Sequence, residues 1–147
     1  MDSSLRLKSL RAVLVADALV LVILGVLLII APEQMFGWFG MQGMPPGAYY
    51  LVGMWGALMA TMGLGYALAS GRPGASQAWV MTGIVRAVLE VGVSAAYIAG
   101  GTVNLRNSGL GMSLALFFAI AYLALYPRSG DEQAALEPRS RRGQAGE

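Results

Sequence analysis

Residues 12–31 read AVLVADALVLVILGVLLIIA, an apolar run with a single charged side chain, Asp17. A helix needs about 20 apolar residues to cross the hydrocarbon core of a bilayer, so this run is long enough to span it. Three further apolar runs occupy residues 48–70, 78–100 and 109–126. Runs of this length are too long for barrel strands, and backbone in hydrocarbon must satisfy its own hydrogen bonds. The sequence therefore predicts an all-α fold, a polytopic transmembrane four-helix bundle over residues 12–126.

The composition is also that of a membrane protein. Of the 147 residues, 56% are hydrophobic and 12% are charged, against roughly 25% charged in an average soluble domain. The chain has no His and no Cys, which excludes imidazole catalysis, thiol chemistry and the usual metal ligands. We therefore expect no enzymatic activity, no catalytic residues, no metal site and no cofactor.

The basic N-terminal segment, residues 1–11, together with the first apolar run, has the general pattern of a signal peptide. The run is longer than the roughly 7–15 residues of a signal-peptide core, and it ends without a clear cleavage site of small residues. We therefore expect the first run to be retained as a span.

The positions of Lys and Arg predict the orientation, because short cytoplasmic loops retain positive charge. One side of the predicted bundle carries Arg6, Lys8, Arg11, Arg72, Arg128, Arg139, Arg141 and Arg142. The opposite side carries Arg106. We therefore expect a multi-pass protein of the cell (cytoplasmic) membrane with both termini in the cytoplasm and the lipid bilayer as its partner. Nucleic-acid binding is not expected, since no basic stripe with interleaved aromatic residues is present.

The connections between the predicted spans differ in character. Residues 32–47 contain Met, Phe and Trp among Gly and Pro, a composition that suits the membrane interface. They are interpreted as an interfacial segment, with a lid over an outward-facing cavity as the alternative. The short turn at residues 71–77 makes the second and third spans antiparallel neighbours. The polar tail, residues 127–147, has few apolar residues and is predicted to be disordered.

Small residues mark the faces on which the spans are expected to meet. In the second span Gly56, Ala60, Gly63 and Ala67 recur at helical spacing, and Gly83 and Ala87 lie on one face of the third. Small side chains let helices approach closely in lipid, where packing drives association. These six residues are predicted to be helix-packing positions.

Three ionisable side chains, Asp17, Arg86 and Glu90, lie within the apolar runs. With about 1.5 Å of rise per residue, all three lie within roughly 10 Å of one another along the membrane normal. Arg86 and Glu90 are four residues apart on one helix face, and Asp17 can reach the same guanidinium if the first and third spans are neighbours. Two interpretations are open: an ion network that holds the helices in register, and a functional site at the middle of the membrane.

The order of several features resembles the small bacterial four-span proteins of the BphX-like and DoxX-like group. These features are the sequence GVLLIIAP at 25–32, the aromatic FGWFG at 36–40, the Gly-rich second span from Tyr50 to Tyr66, the Arg-Pro turn at 72–73 and Arg86. The resemblance implies a four-helix bundle in a bacterial inner membrane, with accessory roles in respiratory or redox complexes or in degradative gene clusters. The lack of Cys argues against a thiol-redox role.

Three functions are compatible with these residues. The first is an accessory or packing subunit of a homo-oligomer or a larger membrane complex. The second is a proton-coupled transporter of a small molecule or cation, similar to the small multidrug resistance proteins, in which Asp17 or Glu90 would bind the proton. The third is a protein that binds an apolar, quinone-like ligand. The candidate lining residues for such a ligand are Trp55, Trp79, Ser94, Tyr97, Phe117 and Phe118.

Overall fold

The computed structural model describes residues 3–38, 40 and 43–126, and the regular structure within them is entirely helical. In chain order the helices are α1 (Ser3–Ile30), α2 (Pro32–Trp38), α3 (Pro46–Ser70), a 3₁₀ turn (Pro73–Ala75), α4 (Gln77–Ala99) and α5 (Leu105–Ala124). Helices α1, α3, α4 and α5 are long and apolar enough to cross a membrane. The prediction of an all-α bundle of four potential spans is therefore confirmed.

The helices and the apolar runs do not share the same bounds. Helix α1 begins at Ser3, because six of the nine residues at positions 3–11, which precede the apolar run, are the good helix formers Leu, Arg and Lys. Helix α5 begins at Leu105, and the side chain of Asn104 caps it by accepting a hydrogen bond from the backbone N–H of Arg106 at 3.3 Å. The tail that was predicted to be disordered, residues 127–147, lies outside the described residues.

Backbone hydrogen bonds and one side chain hold the turn between α3 and α4. The hydroxyl of Ser76 donates to the carbonyl oxygens of Arg72, at 2.8 Å, and Ala69, at 3.2 Å. Pro73 begins the 3₁₀ turn that separates the two helices. The chain therefore reverses direction within a few residues, and α4 runs antiparallel to α3. The two helices are close neighbours only near the turn, because α3 packs mainly against α1 and α4 against α5.

The bundle consists of two helix pairs. Helix α1 packs most extensively against α3, and α4 packs against α5. In the first pair the backbones approach closely at Gly25 and Gly56, where a Cβ atom added to either glycine would lie 2.6 Å from the carbonyl oxygen of the other. Gly63 packs in the same way against Ala18 and Leu21 of α1.

The remaining predicted packing positions fall into three environments. Ala60 lies beside Gly25 in the contact between α1 and α3. Gly83 faces the ring of Tyr122 in α5, and Ala87 is fully buried in a cluster with small residues of α5. Ala67 is exposed, because the contact with α1 follows Gly56, Ala60 and Gly63 and leaves Ala67 on the outer face. The predicted stripe on α3 is therefore one residue too long.

Helix α2 lies against one end of the bundle. Its side chains Met35 and Phe36 are buried, and the Phe36 ring contacts the ring of Tyr49 edge-on with centroids 5.6 Å apart. Trp38 is 71% exposed. The short helix therefore has an inner face that packs on α1 and α3 and an outer face whose aromatic ring is suited to a membrane interface.

The close approach of α1 and α3 generates a stability prediction. We expect Gly56→Ala to lower the free energy of unfolding by about 1–3 kcal/mol, because the added methyl group must displace the backbone of α1. The measurement is the loss of helical circular dichroism in mixed micelles as the fraction of denaturing detergent increases.

The matched control for this prediction is Gly53→Ala on the same helix. A Cβ atom at Gly53 meets no other atom within 4 Å, so the substitution should be neutral or stabilise the helix by up to about 1 kcal/mol. Equal losses of stability for the two variants would contradict the close contact between α1 and α3.

Candidate functional site

Arg86 of α4 and Asp17 of α1 form an ion pair inside the bundle. The guanidinium Nη2 donates to both carboxylate oxygens of Asp17, at 2.9 Å to Oδ1 and 2.8 Å to Oδ2. The side chains of Arg86 and Asp17 are 12% and 1% exposed. Because a buried charge without a partner is strongly destabilising, this pair fixes the position of α4 relative to α1.

Tyr122 of α5 completes the surroundings of Asp17. Its hydroxyl donates to Oδ2 of Asp17 at 2.9 Å, and the tyrosine is fully buried. Side chains from three helices therefore meet at one carboxylate. A hydrogen bond to a charged group is stronger than one between neutral groups.

Glu90 contacts the same guanidinium from the other side. Nη1 of Arg86 donates to its two carboxylate oxygens at 3.1 and 3.3 Å, one helical turn further along α4. The Glu90 side chain is 38% exposed, in contrast to Asp17. The three charges predicted to lie at one depth are thus within hydrogen-bonding distance, with Arg86 between the two carboxylates.

The remaining face of the guanidinium lies near Tyr66 of α3. The Cζ atom of Arg86 is 5.8 Å from the centroid of the Tyr66 ring, within the range of a cation–π interaction. Among the described residues, neither Nε of Arg86 nor the buried hydroxyl of Tyr66 has a hydrogen-bond partner. All four long helices therefore contribute a side chain to the surroundings of Arg86.

A cavity of about 410 Å³ begins at this charged cluster and lies between the two helix pairs. On α1 its lining runs from Asp17 to Leu28, a distance of about 16 Å, and Met35 of α2 lies at the far end. The walls are mainly aliphatic, and Arg86 and Glu90 lie with Asp17 at the charged end. The other lining residues are Val20, Leu21, Leu24, Trp55, Met59, Leu89, Val93, Ser94, Gly111, Leu114, Ala115 and Phe118.

The candidate ligand-lining residues divide into two groups. Trp55, Ser94 and Phe118 line the cavity. Trp79, Tyr97 and Phe117 do not. Trp79 packs edge-on against the Tyr66 ring with centroids 5.8 Å apart, and Tyr97 and Phe117 are 54% and 60% exposed on the outside of the bundle. Helical spacing alone did not separate these groups, because the relative rotation of the helices decides which aromatic residues face inward.

Sequence reasoning missed several residues of the site. Tyr122 and Tyr66 lie near the ends of their spans, where tyrosine is usually interpreted as an anchor at the headgroups. Met35 was one of several apolar residues in the predicted interfacial segment, residues 32–47. The signal that could have identified Tyr122 is its position within an apolar run at a depth comparable to that of Asp17, but nothing in one sequence shows that the two helices are neighbours.

The described residues supply the cavity lining with three charged groups and one hydroxyl. Among the described residues, no group of three or more His, Cys, Asp or Glu side chains could hold a metal ion. Ser94 supplies that hydroxyl, one helical turn from Glu90 in the cavity wall. The arrangement is therefore suited to binding a molecule through an apolar wall and a charged end.

The chain was compared with protein-family models, with curated proteins and with solved structures, and none of the three comparisons found a match.

The different burial of the two carboxylates generates a prediction. We expect Asp17→Asn to destabilise the bundle by about 3–5 kcal/mol, because it leaves the buried guanidinium without its main counter-charge. Glu90→Gln makes the same chemical change at the more exposed carboxylate, and its cost should be about 1 kcal/mol or less. Unfolding in mixed micelles measures both values.

The double variant Asp17→Leu with Arg86→Met tests the cause of this effect. Removing both members of a buried pair is much less costly than removing one, so the double variant should be more stable than Asp17→Asn. If Glu90→Gln is as destabilising as Asp17→Asn, the assignment of Asp17 as the main partner of Arg86 is wrong.

Proposed function

We propose that the chain is a multi-pass protein of the cell membrane that binds a small, largely apolar molecule between its two helix pairs. The observation that carries this proposal is the cavity of about 410 Å³, a volume within the range of roughly 300–1,000 Å³ that is typical of small-molecule sites. Its combination of apolar walls and a few polar groups at one end is also typical of such sites.

The packing of the helices supports the proposal. Within each pair the helices are in close contact through Gly25 and Gly56, or through Ala87 and Ala115. Between the pairs, α3 and α4 have few contacts outside their connecting turn. Protein interiors are otherwise densely packed, so the space between the pairs is a specific feature of this bundle.

The positions of the acidic residues bear on the transporter alternative. Asp17 is almost completely buried and is hydrogen-bonded to both Arg86 and Tyr122. Glu90 is more exposed and lines the cavity, so it is the better candidate for a carboxylate that contacts a bound molecule. A role in proton-coupled transport stays a prediction, with Glu90 rather than Asp17 as its favoured residue.

The accessory-subunit role, homo-oligomer formation and the resemblance to the BphX-like and DoxX-like group also stay predictions. A protein that binds a small molecule within the bilayer can serve a larger membrane complex, so these roles are compatible with the cavity. The bacterial inner membrane is the location that the resemblance implies.

Filling the cavity tests the proposed function. Gly111 lines it, and a Cβ atom there meets no other atom within 4 Å. We expect the unmodified protein in nanodiscs to bind the neutral apolar fluorophore 1-aminoanthracene saturably, beyond its partition into protein-free nanodiscs. We expect Gly111→Phe to weaken this binding by at least about tenfold, because the ring occupies part of the volume.

The control for the filled cavity is Gly92→Phe. Gly92 is exposed on α4, does not line the cavity, and has open space around its Cα position. The affinity of the Gly92→Phe variant for 1-aminoanthracene should equal that of the unmodified protein. Unsaturable partition in all three proteins would refute the proposed function.

The proposed orientation places both termini and the turn after α3 in the cytoplasm, because eight of the nine basic residues outside the apolar runs belong to that side. The chain has no Cys, so Ala75→Cys and Thr102→Cys introduce single thiols at opposite ends of the bundle. In spheroplasts a membrane-impermeant maleimide should label Thr102→Cys at once and Ala75→Cys after permeabilisation. The reverse order would contradict the orientation.

A further inference from the structure

We propose further that the cavity selects molecules that carry one positive charge on an apolar body, with the carboxylate of Glu90 as their counter-charge. This inference rests on the proposed binding function and names the class of its ligand. It is carried by the unequal pairing of the two carboxylates around Arg86 and by the position of Glu90 in the cavity wall.

The charges at the end of the cavity do not cancel. Asp17 and Glu90 are two carboxylates, and Arg86 is their single cationic partner among the described residues. With all three ionised, the cluster has a net charge of −1. Since Asp17 also accepts a hydrogen bond from Tyr122, the Asp17 side of the cluster is the more completely paired, and the excess negative charge is associated with Glu90.

Glu90 is also the more accessible of the two carboxylates. Asp17 is 1% exposed and Glu90 is 38% exposed. Ser94, one helical turn beyond Glu90, also lines the cavity. A bound cation can therefore contact Glu90 directly while its substituents reach the hydroxyl of Ser94.

The guanidinium provides no comparable site for an anion. Its two terminal nitrogens donate to Glu90 and Asp17, and its Nε atom is buried away from the cavity surface. An anionic ligand would have to displace one of the carboxylates from Arg86. Electrostatic complementarity therefore favours a cation over an anion, and the low dielectric of the surroundings strengthens this preference.

The apolar walls require that the rest of the ligand is hydrophobic. Aliphatic side chains of α1, α4 and α5 line most of the cavity, and Trp55 and Phe118 contribute aromatic rings. Aromatic faces attract cations as well as apolar groups. A small hydrated metal ion would leave these walls without contacts, whereas an organic monocation uses both the walls and Glu90.

The test uses two probes of the same shape that differ in charge. Benzyltrimethylammonium carries one positive charge, and neopentylbenzene has carbon in place of the ammonium nitrogen. Each competes with 1-aminoanthracene for the full-length protein in phosphatidylcholine nanodiscs, with the concentration of each probe corrected for its partition into protein-free nanodiscs. We expect the cation to bind at least about tenfold more tightly than its neutral isostere, as for a partly buried charge pair.

Glu90→Gln should reduce this ratio of affinities to near one, because it removes the charge and keeps the shape of the side chain. Glu33→Gln is the matched control, since Glu33 is an exposed carboxylate of α2 that does not line the cavity, and it should keep the ratio. If Glu90→Gln does not fold, the comparison of the two probes on the unmodified protein still decides whether the cavity prefers a cation.

The outcomes separate this inference from the proposed function. Saturable binding of 1-aminoanthracene with equal competition by the two probes, or with none by either, leaves the binding function standing and overturns the preference for cations. A preference that persists in Glu90→Gln overturns the assignment of Glu90. Absence of saturable 1-aminoanthracene binding refutes the proposed function, and the inference with it.

Discussion

A guanidinium group at the middle of an apolar helix has to be surrounded by the protein, since lipid cannot solvate it. Arg86 satisfies this requirement with Asp17 from α1, with Glu90 from its own helix and with the ring of Tyr66 from α3. Tyr122 then adds α5 by its hydrogen bond to Asp17. The polar interactions between helices thus converge on one side chain, and the arrangement of the bundle follows from the need to enclose it.

Small side chains allow close contact within each helix pair, whereas larger side chains border the space between the pairs. Glycines at the contact of α1 and α3 bring these backbones together, and alanines do the same for α4 and α5. The ion pair joins the two helix pairs at the level of Arg86, but it cannot close the space further along the helices. There Leu24, Met59 and other side chains border the cavity. The tight packing within each pair and the open space between the pairs are therefore parts of the same architecture.

Much of the fold was predictable, because the length and apolarity of the four runs are strong signals. The charged cluster was partly predictable: Arg86 and Glu90 share a helix face by their spacing, and the depth of Asp17 matches theirs. The contributions of Tyr122 and Tyr66 were not, since they depend on which helices are neighbours. The cavity depends on the angle and distance between helix pairs, and a single sequence contains no direct signal for either. For the same reason Ala67 was assigned to a contact that it does not make.

The helices also differ in length, and this has a consequence for the surrounding lipid. Helix α1 has 28 residues and α5 has 20, or about 42 Å and 30 Å at 1.5 Å per residue. The shorter helix matches the hydrocarbon thickness of a typical bilayer, about 30 Å. The additional length of α1 is its N-terminal part, residues 3–11, which carries Arg6, Lys8 and Arg11. This part extends beyond the hydrocarbon, whereas the apolar residues 12–31 match the same thickness as α5. A thinner bilayer is therefore expected to tilt α1 and α5 together, and the contacts of Asp17 with Arg86 and Tyr122 transmit that tilt to the charged cluster.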